Sequence, residues 1–331
     1  VVTSEANGKY AEGRVTHTAK VENGTILLEA EPYIGEYDGK AHDALISVTV
    51  DPKDCKLEYS LDGGEFTEVM PKVTMAAEEY TISIKASKEG YTTNAITKTV
   101  TIKKQTNTNG NLTLSATSGT ITYPNNGTFT VTKNTSGGAL SVKSSDESIA
   151  TASISGTTVT VTPKTPSVNG KQVTITVTSA ATSNYEAQTA TYVATVNMGK
   201  ITINATAYNG KYDGKAHNAL TAVSTNPTGT TIEYSLNGGT YSSTMPTVTN
   251  VGAFTVSIKA TKANYTTKEI TINTGKVNYS KASSASGINK VYNGSAQTGV
   301  TGQYVTWGGT TSATNVGTYR AYATPQANYA W

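Results

Sequence analysis

The chain has a single cysteine, Cys55, which excludes an internal disulfide. Charged residues make up 15% of the 331 positions, against about 25% in typical globular chains. No apolar run approaches the roughly 18 residues of a membrane span, so we expect no membrane insertion in this segment. The net charge of +3 comes from dispersed lysines, and the absence of a basic stripe argues against nucleic acid as a partner.

Helix-forming runs with apolar residues at i, i+3 and i+4 are also missing. Tyrosine is abundant instead, with 20 Tyr against 3 Phe, and threonine is frequent throughout. Both residue types favour strands, because their side chains pack well on a pleated, half-buried surface. The composition therefore predicts an all-β chain.

One hexapeptide, "YDGKAH", occurs at Tyr37–His42 and again at Tyr212–His217, 175 positions apart. The match continues downstream, where "LEYSLDGGEF" pairs with "IEYSLNGGTY" and "YTISIKASKEGYTT" with "FTVSIKATKANYTT". Short alternating segments separated by turn residues predict a small β-sandwich of about 80 residues in each copy. The Asp38-Gly39 and Asp213-Gly214 pairs predict type I′ hairpin turns, and "LDGG" and "LNGG" predict a second tight turn.

A different unit lies between the two copies. Its "GTTVTVTP" and "KQVTITVTS" segments alternate strictly, which predicts valines facing a core and threonines facing solvent. The polar stretch "KKQTNTNGN" at Lys103–Asn111 is interpreted as a linker before it.

Both ends of the sequence align with parts of these units. Val1–Val21 align with Thr176–Val196 at the same offset of 175, with Tyr10 on Tyr185, so they resemble the last strands of another middle unit. Near the other end, "NVGTYRAYATPQANYAW" resembles the second repeat copy but stops before its closing strand. We expect a window on a longer protein. Were Trp331 the true end, the unpaired edge would be open to a strand from a neighbouring subunit.

The repeats predict five segments. Residues 1–21 are the last strands of an upstream immunoglobulin-like (Ig-like) domain. Residues 22–104 are module 1, 105–199 module 2, 200–275 module 3 and 276–331 module 4, the last without its closing strand. The expected fold is an elongated tandem array of small Ig-like β-sandwiches.

The middle unit's "SSDESIATASISGTTVTVTP", followed by "GKQVTITVTSAATSNYEAQTATYVATV", resembles the group 2 bacterial immunoglobulin-like domain. The flanking units, with "YDGKAH", "EYSLDGG" and "YTISIKASKEGYTT", are similar to other bacterial Ig-like surface modules. This resemblance implies adhesins and large bacterial surface proteins, accessory domains of secreted enzymes, or decorations on phage capsids and tails. It carries no catalytic residues.

The residues themselves offer little for catalysis or metal binding. His42 and His217 each have one nearby acid, Asp38 and Asp213, whereas a zinc site needs three or four converging ligands. No nucleophile elbow, phosphate-binding loop or dinucleotide fingerprint is found. We therefore predict no catalytic residues, cofactor or metal, and interpret "YDGKAH" as a turn and the strand after it.

Four aromatic residues of the last segment are candidates for sugar contact: Tyr304, Trp307, Tyr319 and Tyr322. The alternative is that these rings fill half-buried strand positions while their polar atoms stay hydrated. If these residues contact sugar, the last segment has a glycan-binding surface. If they fill half-buried strand positions, they contribute only to the stability of the fold.

These observations predict a non-enzymatic extracellular array acting as a stalk or adhesin on a bacterial surface. A phage virion protein that uses its Ig-like domains to bind host surfaces or glycans is the alternative. The third reading is the accessory region of a secreted carbohydrate-active enzyme. Expected partners are a host-surface glycan or protein, or neighbouring subunits of a surface or virion assembly.

Overall fold

The computed structural model describes residues 2–6, 8–9, 13–106 and 111–331. Every regular element in these ranges is a β-strand, which confirms the predicted all-β class. Within the same ranges no helix is long and apolar enough to cross a membrane. Residues 107–110 of the predicted linker, and Val1 and Tyr10 of the N-terminal alignment, lie outside the described residues.

The chain begins with a short antiparallel hairpin. It consists of β1 (Val2–Ser4) and β2 (Gly13–Val15), with Val2 opposite Val15. Adding 175 to both numbers gives the pair Val177 and Ala190, which lie opposite each other in module 2. The pairing register of the first strands thus repeats that of the last hairpin of module 2.

Module 1 contains ten strands: β3 (Gly24–Thr25), β4 (Leu27–Pro32), β5 (Ile34–Glu36), β6 (His42–Asp43), β7 (Leu45–Asp51), β8 (Lys56–Leu61), β9 (Lys72–Val73), β10 (Ala77–Ser87), β11 (Tyr91–Thr92) and β12 (Asn94–Lys103). The main sheet has the order β5-β12-β10-β8, and β4 pairs with β7 across the core. Along β10, Ile82, Ile84 and Ala86 are fully buried, as the alternating sequence predicts.

Module 2 is a sandwich of two four-stranded sheets. Its strands are β13 (Leu112–Leu114), β14 (Ser118–Thr122), β15 (Gly127–Asn134), β16 (Leu140–Ser144), β17 (Ala150–Ser155), β18 (Thr158–Pro163), β19 (Lys171–Ser179) and β20 (Gln188–Asn197). The sheet orders are β13-β15-β18-β17 and β14-β20-β19-β16. Val159 and Val161 are buried while Thr158 and Thr162 are exposed, which confirms the predicted orientation of the alternation.

Module 3 repeats the pairing pattern of module 1. Its strands are β21 (Gly199–Lys200), β22 (Thr202–Ala207), β23 (Asn209–Lys211), β24 (His217–Asn218), β25 (Leu220–Asn226), β26 (Thr231–Leu236), β27 (Thr247–Val248), β28 (Gly252–Thr261), β29 (Tyr265–Thr266) and β30 (Lys268–Asn278). The main sheet has the order β23-β30-β28-β26. The closing strand β30 runs to Asn278, past the boundary expected at residue 275.

Module 4 contains eight short strands: β31 (Ser280–Lys281), β32 (Ser286–Gly287), β33 (Gln297–Thr298), β34 (Val300–Thr301), β35 (Val305–Gly309), β36 (Ser312–Ala313), β37 (Ala321–Pro325) and β38 (Tyr329–Ala330). They form four two-stranded pairs, β31-β38, β32-β34, β33-β36 and β35-β37. Module 3 has the same four pairs, and β30 pairs additionally with β23 and β28.

The prediction that Asp38-Gly39 and Asp213-Gly214 form type I′ hairpin turns is wrong in both copies, since neither aspartate has a positive φ. Gly39 has a positive φ of 79°, but Asp38 does not, and both central residues of a type I′ turn need one. The flanking strands do not pair with each other, because β5 pairs with β12 and β6 with β9. The Asp38 carboxylate accepts a 2.9 Å hydrogen bond from the Lys40 backbone N–H, which makes this an Asx turn.

The second predicted turn is confirmed in both copies. Asp62 and Gly63 have φ angles of 52° and 75°, and Asn237 and Gly238 have 50° and 78°. In the first copy the Asp62 side chain accepts a 2.8 Å hydrogen bond from the backbone N–H of Thr81. Asx residues tolerate the left-handed region better than other non-glycine residues, which explains their recurrence here.

Candidate functional sites at the turns and module junctions

The repeated "YDGKAH" segment forms a compact polar cluster in each copy. His42 Nε2 lies 2.9 Å from Asp38 Oδ1, and the imidazole stacks on the Tyr33 ring with centroids 4.3 Å apart. In module 3, His217 makes the same contacts, 2.9 Å to Asp213 and 4.5 Å to the Tyr208 ring. The hydrogen bond from the histidine lowers the pKa of each aspartate, with a smaller contribution from a backbone N–H.

This cluster is a structural element of the turn. Each copy brings together one imidazole and one carboxylate, and in the described ranges no three His, Cys, Asp or Glu side chains gather as a metal site. The imidazole has its ring face against tyrosine and one nitrogen against the aspartate. In each copy these contacts hold the turn that precedes a short strand: β6, which begins at His42, and β24, which begins at His217.

The junction between modules 1 and 2 is made by an Asn-Tyr dipeptide. The Ala76 backbone N–H of module 1 donates a 2.9 Å hydrogen bond to Asn184 Oδ1 of module 2. The Tyr185 ring meets the Tyr37 ring edge to face, with centroids 5.5 Å apart at 75°. Tyr185 also forms an isolated parallel β-bridge with Gln105, the first residue of module 2, so one dipeptide contacts both the preceding module and the connecting segment.

The junction between modules 2 and 3 uses Asn264 and Tyr265 in the same place. Asn264 Nδ2 donates a 3.0 Å hydrogen bond to the Lys164 carbonyl, and Tyr265 meets Tyr123 edge to face at 5.4 Å. Gly199 packs closely against the Tyr265 ring and the Tyr123 carbonyl group. A Cβ added there would come within 2.5 Å of the Tyr265 ring and 2.6 Å of the Tyr123 carbonyl oxygen.

The junction between modules 3 and 4 contains the same two contacts as the first junction. The Val251 backbone N–H donates a 2.9 Å hydrogen bond to Asn328 Oδ1, and Tyr329 meets Tyr212 edge to face at 5.4 Å. Val251 and Tyr212 are the counterparts of Ala76 and Tyr37 at the 175-residue offset. Ser280 Oγ adds a hydrogen bond to the Tyr212 carbonyl.

All three junctions share a dipeptide whose tyrosine meets a second tyrosine edge to face and whose asparagine side chain hydrogen-bonds the preceding module's backbone, accepting at the first and third junctions and donating at the second. We call it the Asn-Tyr clasp: Asn184-Tyr185, Asn264-Tyr265 and Asn328-Tyr329. In each clasp the second tyrosine belongs to the preceding module and is Tyr37, Tyr123 or Tyr212. It directly follows an early strand, and this strand pairs parallel with the last strand of the same module. Asn264 and Asn328 hold the left-handed conformation, with φ of 69° and 73°. Gly90, with φ of 75°, occupies this position in module 1, so its loop has no asparagine side chain.

The structure places the four aromatic residues that are candidates for sugar contact in three different environments. Trp307 and Tyr319 line a common groove of about 900 Å3. Tyr304 instead stacks on Tyr329, with centroids 4.3 Å apart, and so belongs to the third junction. Tyr322 covers Gly308 and is 68% exposed on the other face of β37, because Trp307 lies opposite its neighbour Ala323. Sugar contact at these residues stays a prediction.

Sequence reasoning did not find the clasp. A signal was present, since Asn-Tyr occurs near the end of modules 2, 3 and 4, and in modules 2 and 3 it precedes the closing strand. Its importance is visible only when the modules are placed together, because Asn184 contacts Ala76, 108 positions earlier.

The topology and the repeated clasp define the chain as a tandem array of Ig-like β-sandwiches.

No protein-family model and no curated protein matches the chain. Among solved structures, it is similar to the insect immune protein hemolin, at 12% identity over 76% of both chains with a TM-score of 0.29. It is also similar to mouse cadherin-23 repeats EC22-24, at 12% identity, 76% of this chain, 99% of the other and a TM-score of 0.27. A Bacteroides ovatus glucan-utilisation protein, SGBP-B, shares 12% identity over 81% and 74% of the two chains, with a TM-score of 0.21. Such distant similarities carry no argument about function.

Proposed function

We propose that this chain is a non-enzymatic segment of a bacterial extracellular stalk or adhesin, whose modules hold a binding element away from a surface. The observation that carries the proposal is the Asn-Tyr clasp, found at each of the three junctions between modules 1 and 4. A clasp of this kind limits bending between neighbouring modules, since a bend breaks a hydrogen bond and separates an aromatic pair.

The surface chemistry supports an extracellular setting. The outward side of the β17-β18 pair in module 2 carries threonine and serine without charged residues, as in the paired residues Thr151 and Thr162 or Ser153 and Thr160. Such faces stay hydrated without a high net charge. On this proposal residues 1–21 are the last strands of an upstream domain, since the β1-β2 register repeats that of β19-β20.

The proposal is tested on the protein in its natural source. Protease treatment of intact cells should release peptides of modules 1 to 4, and peptide mapping of the whole protein should place them beside a surface-anchoring segment. Peptides joined to a capsid or tail domain would identify a virion protein instead. A neighbouring catalytic domain would identify an accessory region of a secreted enzyme, and protection of the modules inside intact cells would contradict an extracellular role.

A further inference from the structure

The outer face of the main sheet carries one set of side chains that recurs in modules 1 and 3. The set consists of a carboxylate, an ammonium group, two hydroxyls and an aromatic ring, and we call it the sheet patch. The strand residues of the patch point outward, because neighbours such as Ile84 and Ile258 are fully buried. The members are Glu58, Phe66, Ser83, Lys85 and Thr97 in module 1, and Glu233, Tyr241, Ser257, Lys259 and Thr271 in module 3.

The members of the sheet patch contact one another in the same way in both modules. In module 1, Lys85 Nζ lies 2.7 Å from Glu58 Oε2 and 5.0 Å from the centroid of the Phe66 ring. The corresponding distances in module 3 are 3.3 Å and 5.6 Å. In the next row of the sheet, the oxygens of the two hydroxyls lie 3.3 Å apart in module 1 and 2.9 Å apart in module 3.

The loop that carries the aromatic ring is held by matching hydrogen bonds in the two copies. In module 1 the backbones of Tyr59 and Thr67 exchange hydrogen bonds of 2.7 and 2.9 Å, and Ser60 Oγ donates a 2.6 Å hydrogen bond to the Gly64 carbonyl. The same three distances recur in module 3. The ring is therefore in place over the sheet before a ligand arrives, which lowers the entropic cost of binding.

The sheet patch is kept in both copies although other surface charges differ between them. The 2.7 Å ion pair of Asp43 with Lys72 in module 1 is replaced by Asn218 and Thr247 in module 3. Among the acidic residues of module 1, only Glu58 and the aspartate of the Asx turn align with an acid in module 3. Surface ion pairs contribute little to stability, so the fold does not account for keeping this one. Polar and aromatic residues kept at a surface indicate binding.

The chemistry of the sheet patch fits an oligosaccharide. A peptide strand needs a free backbone edge, and the outer edge of β8 is already paired at Tyr59 with Thr67. A nucleic acid needs unpaired positive charge, whereas the lysine of each patch is paired with a carboxylate. A sugar stacks its apolar face on an aromatic ring, and its hydroxyls exchange hydrogen bonds with carboxylate, ammonium and hydroxyl groups. Phe66 and Tyr241 share the ring face and not the hydroxyl, as expected of residues that stack.

We propose that the sheet patches of modules 1 and 3 are two binding sites for an extended oligosaccharide. The aromatic ring stacks on one sugar, the Glu–Lys pair binds its hydroxyls, and the Ser–Thr pair continues the polar row along the sheet. Because module 2 separates the two sites, a polysaccharide long enough to reach both binds with avidity. This function goes beyond the stalk role, which does not depend on it.

The test begins with the 331-residue protein on a printed array of neutral, sialylated and uronic-acid oligosaccharides. Calorimetry with the oligosaccharide that binds most strongly should then give about two bound molecules per chain. Phe66→Ala should leave one site of unchanged affinity, and Phe66→Ala/Tyr241→Ala should lower affinity at both sites at least about fivefold. The exchange Phe66→Tyr/Tyr241→Phe should keep both affinities within about threefold, because each position retains a ring face.

Two controls separate the sheet patch from other surfaces. Asp43→Asn removes a surface ion pair outside the patch and gives module 1 the residue of module 3, so it should leave affinity within about twofold. Trp307→Ala removes the largest of the aromatic candidates in module 4 and should likewise leave affinity within about twofold. Thermal melts by circular dichroism check that every variant folds.

Three results would overturn the proposal. The first is an array on which no oligosaccharide binds saturably to the folded wild-type protein. The second is unchanged sugar affinity in folded Phe66→Ala/Tyr241→Ala. The third is loss of sugar binding in Trp307→Ala, which would place the binding site in module 4 instead.

Discussion

Removing one Asn-Tyr clasp should release the modules on its two sides. In Asn184→Ala/Tyr185→Ala, module 2 loses the hydrogen bond from the Ala76 N–H and the edge-to-face contact with Tyr37. The hydrogen bond contributes about 1 kcal/mol and the aromatic pair about 0.5–1.5 kcal/mol. The docked arrangement therefore loses about 1.5–2.5 kcal/mol, and the ratio of undocked to docked molecules should rise about 10- to 70-fold.

The assay is a distance distribution between two spin labels, measured by double electron–electron resonance. Cysteines at Ser47 and Ser141, both exposed and in modules 1 and 2, carry the labels in a Cys55→Ser background. We expect a narrow distribution in the parent and a broad one in the clasp variant. The matched control is Asn264→Ala/Tyr265→Ala, which removes the same dipeptide at the next junction and should leave this distance narrow.

The reasoning is refuted if the clasp variant keeps the narrow distribution of the parent. It is also refuted if the control at the second junction broadens this distance as much as the variant at the first. Unfolding curves of all three proteins should retain the transition of each module. Asn184 and Tyr185 lie outside the buried clusters, and Tyr265 belongs to the small cluster with Ile201 and Ala260 at the junction rather than to the main core of module 3.

Three further perturbations have defined outcomes. Gly199→Val should undock modules 2 and 3, because its Cβ meets the Tyr265 ring, and limited proteolysis should then cut between them; unchanged resistance would contradict this. The hydrogen bond from His42 lowers the pKa of Asp38 below its ordinary value. The ionised Asp38 therefore contributes fully to the free energy of unfolding above about pH 4, and this contribution is lost as pH falls through the lowered pKa. In Asp38→Asn, the free energy of unfolding measured from pH 6 to 2 should fall less steeply with falling pH than in the parent protein. The same pH dependence in both proteins would count against the hydrogen bond. Gln188 is fully buried and its side-chain amide has no hydrogen-bond partner among the described residues, so Gln188→Leu should raise the stability of module 2 by about 1–3 kcal/mol; a loss of stability would show that the amide is satisfied.

Much of the fold follows from local sequence patterns. The alternation in β18 places Val159 and Val161 inside, and the positive φ of Asp62 and Asn237 follows from the tight-turn residues around them. These features depend on residues one or two positions apart, which a sequence displays directly.

The features that the sequence predicted wrongly, or did not reveal, are contacts between distant parts of the chain. Asp38-Gly39 has the composition of a hairpin turn, but β5 pairs with β12, and that pairing is invisible locally. The aromatic residues of module 4 are close in sequence, yet Trp307 and Tyr322 lie on opposite faces because side chains alternate across a strand. The clasp is missed for the same reason, since its partners belong to different modules.

The most direct test of the central claim is amide hydrogen exchange at Ala76 and Val251. Both backbone N–H groups donate to an asparagine side chain of the following module, so they report docking itself rather than the fold of either module. The account predicts that both amides are protected in the wild-type protein and that Asn184→Ala removes protection at Ala76 while leaving Val251 protected. Exchange of both amides in the wild-type protein at the rate of an unstructured loop would contradict it.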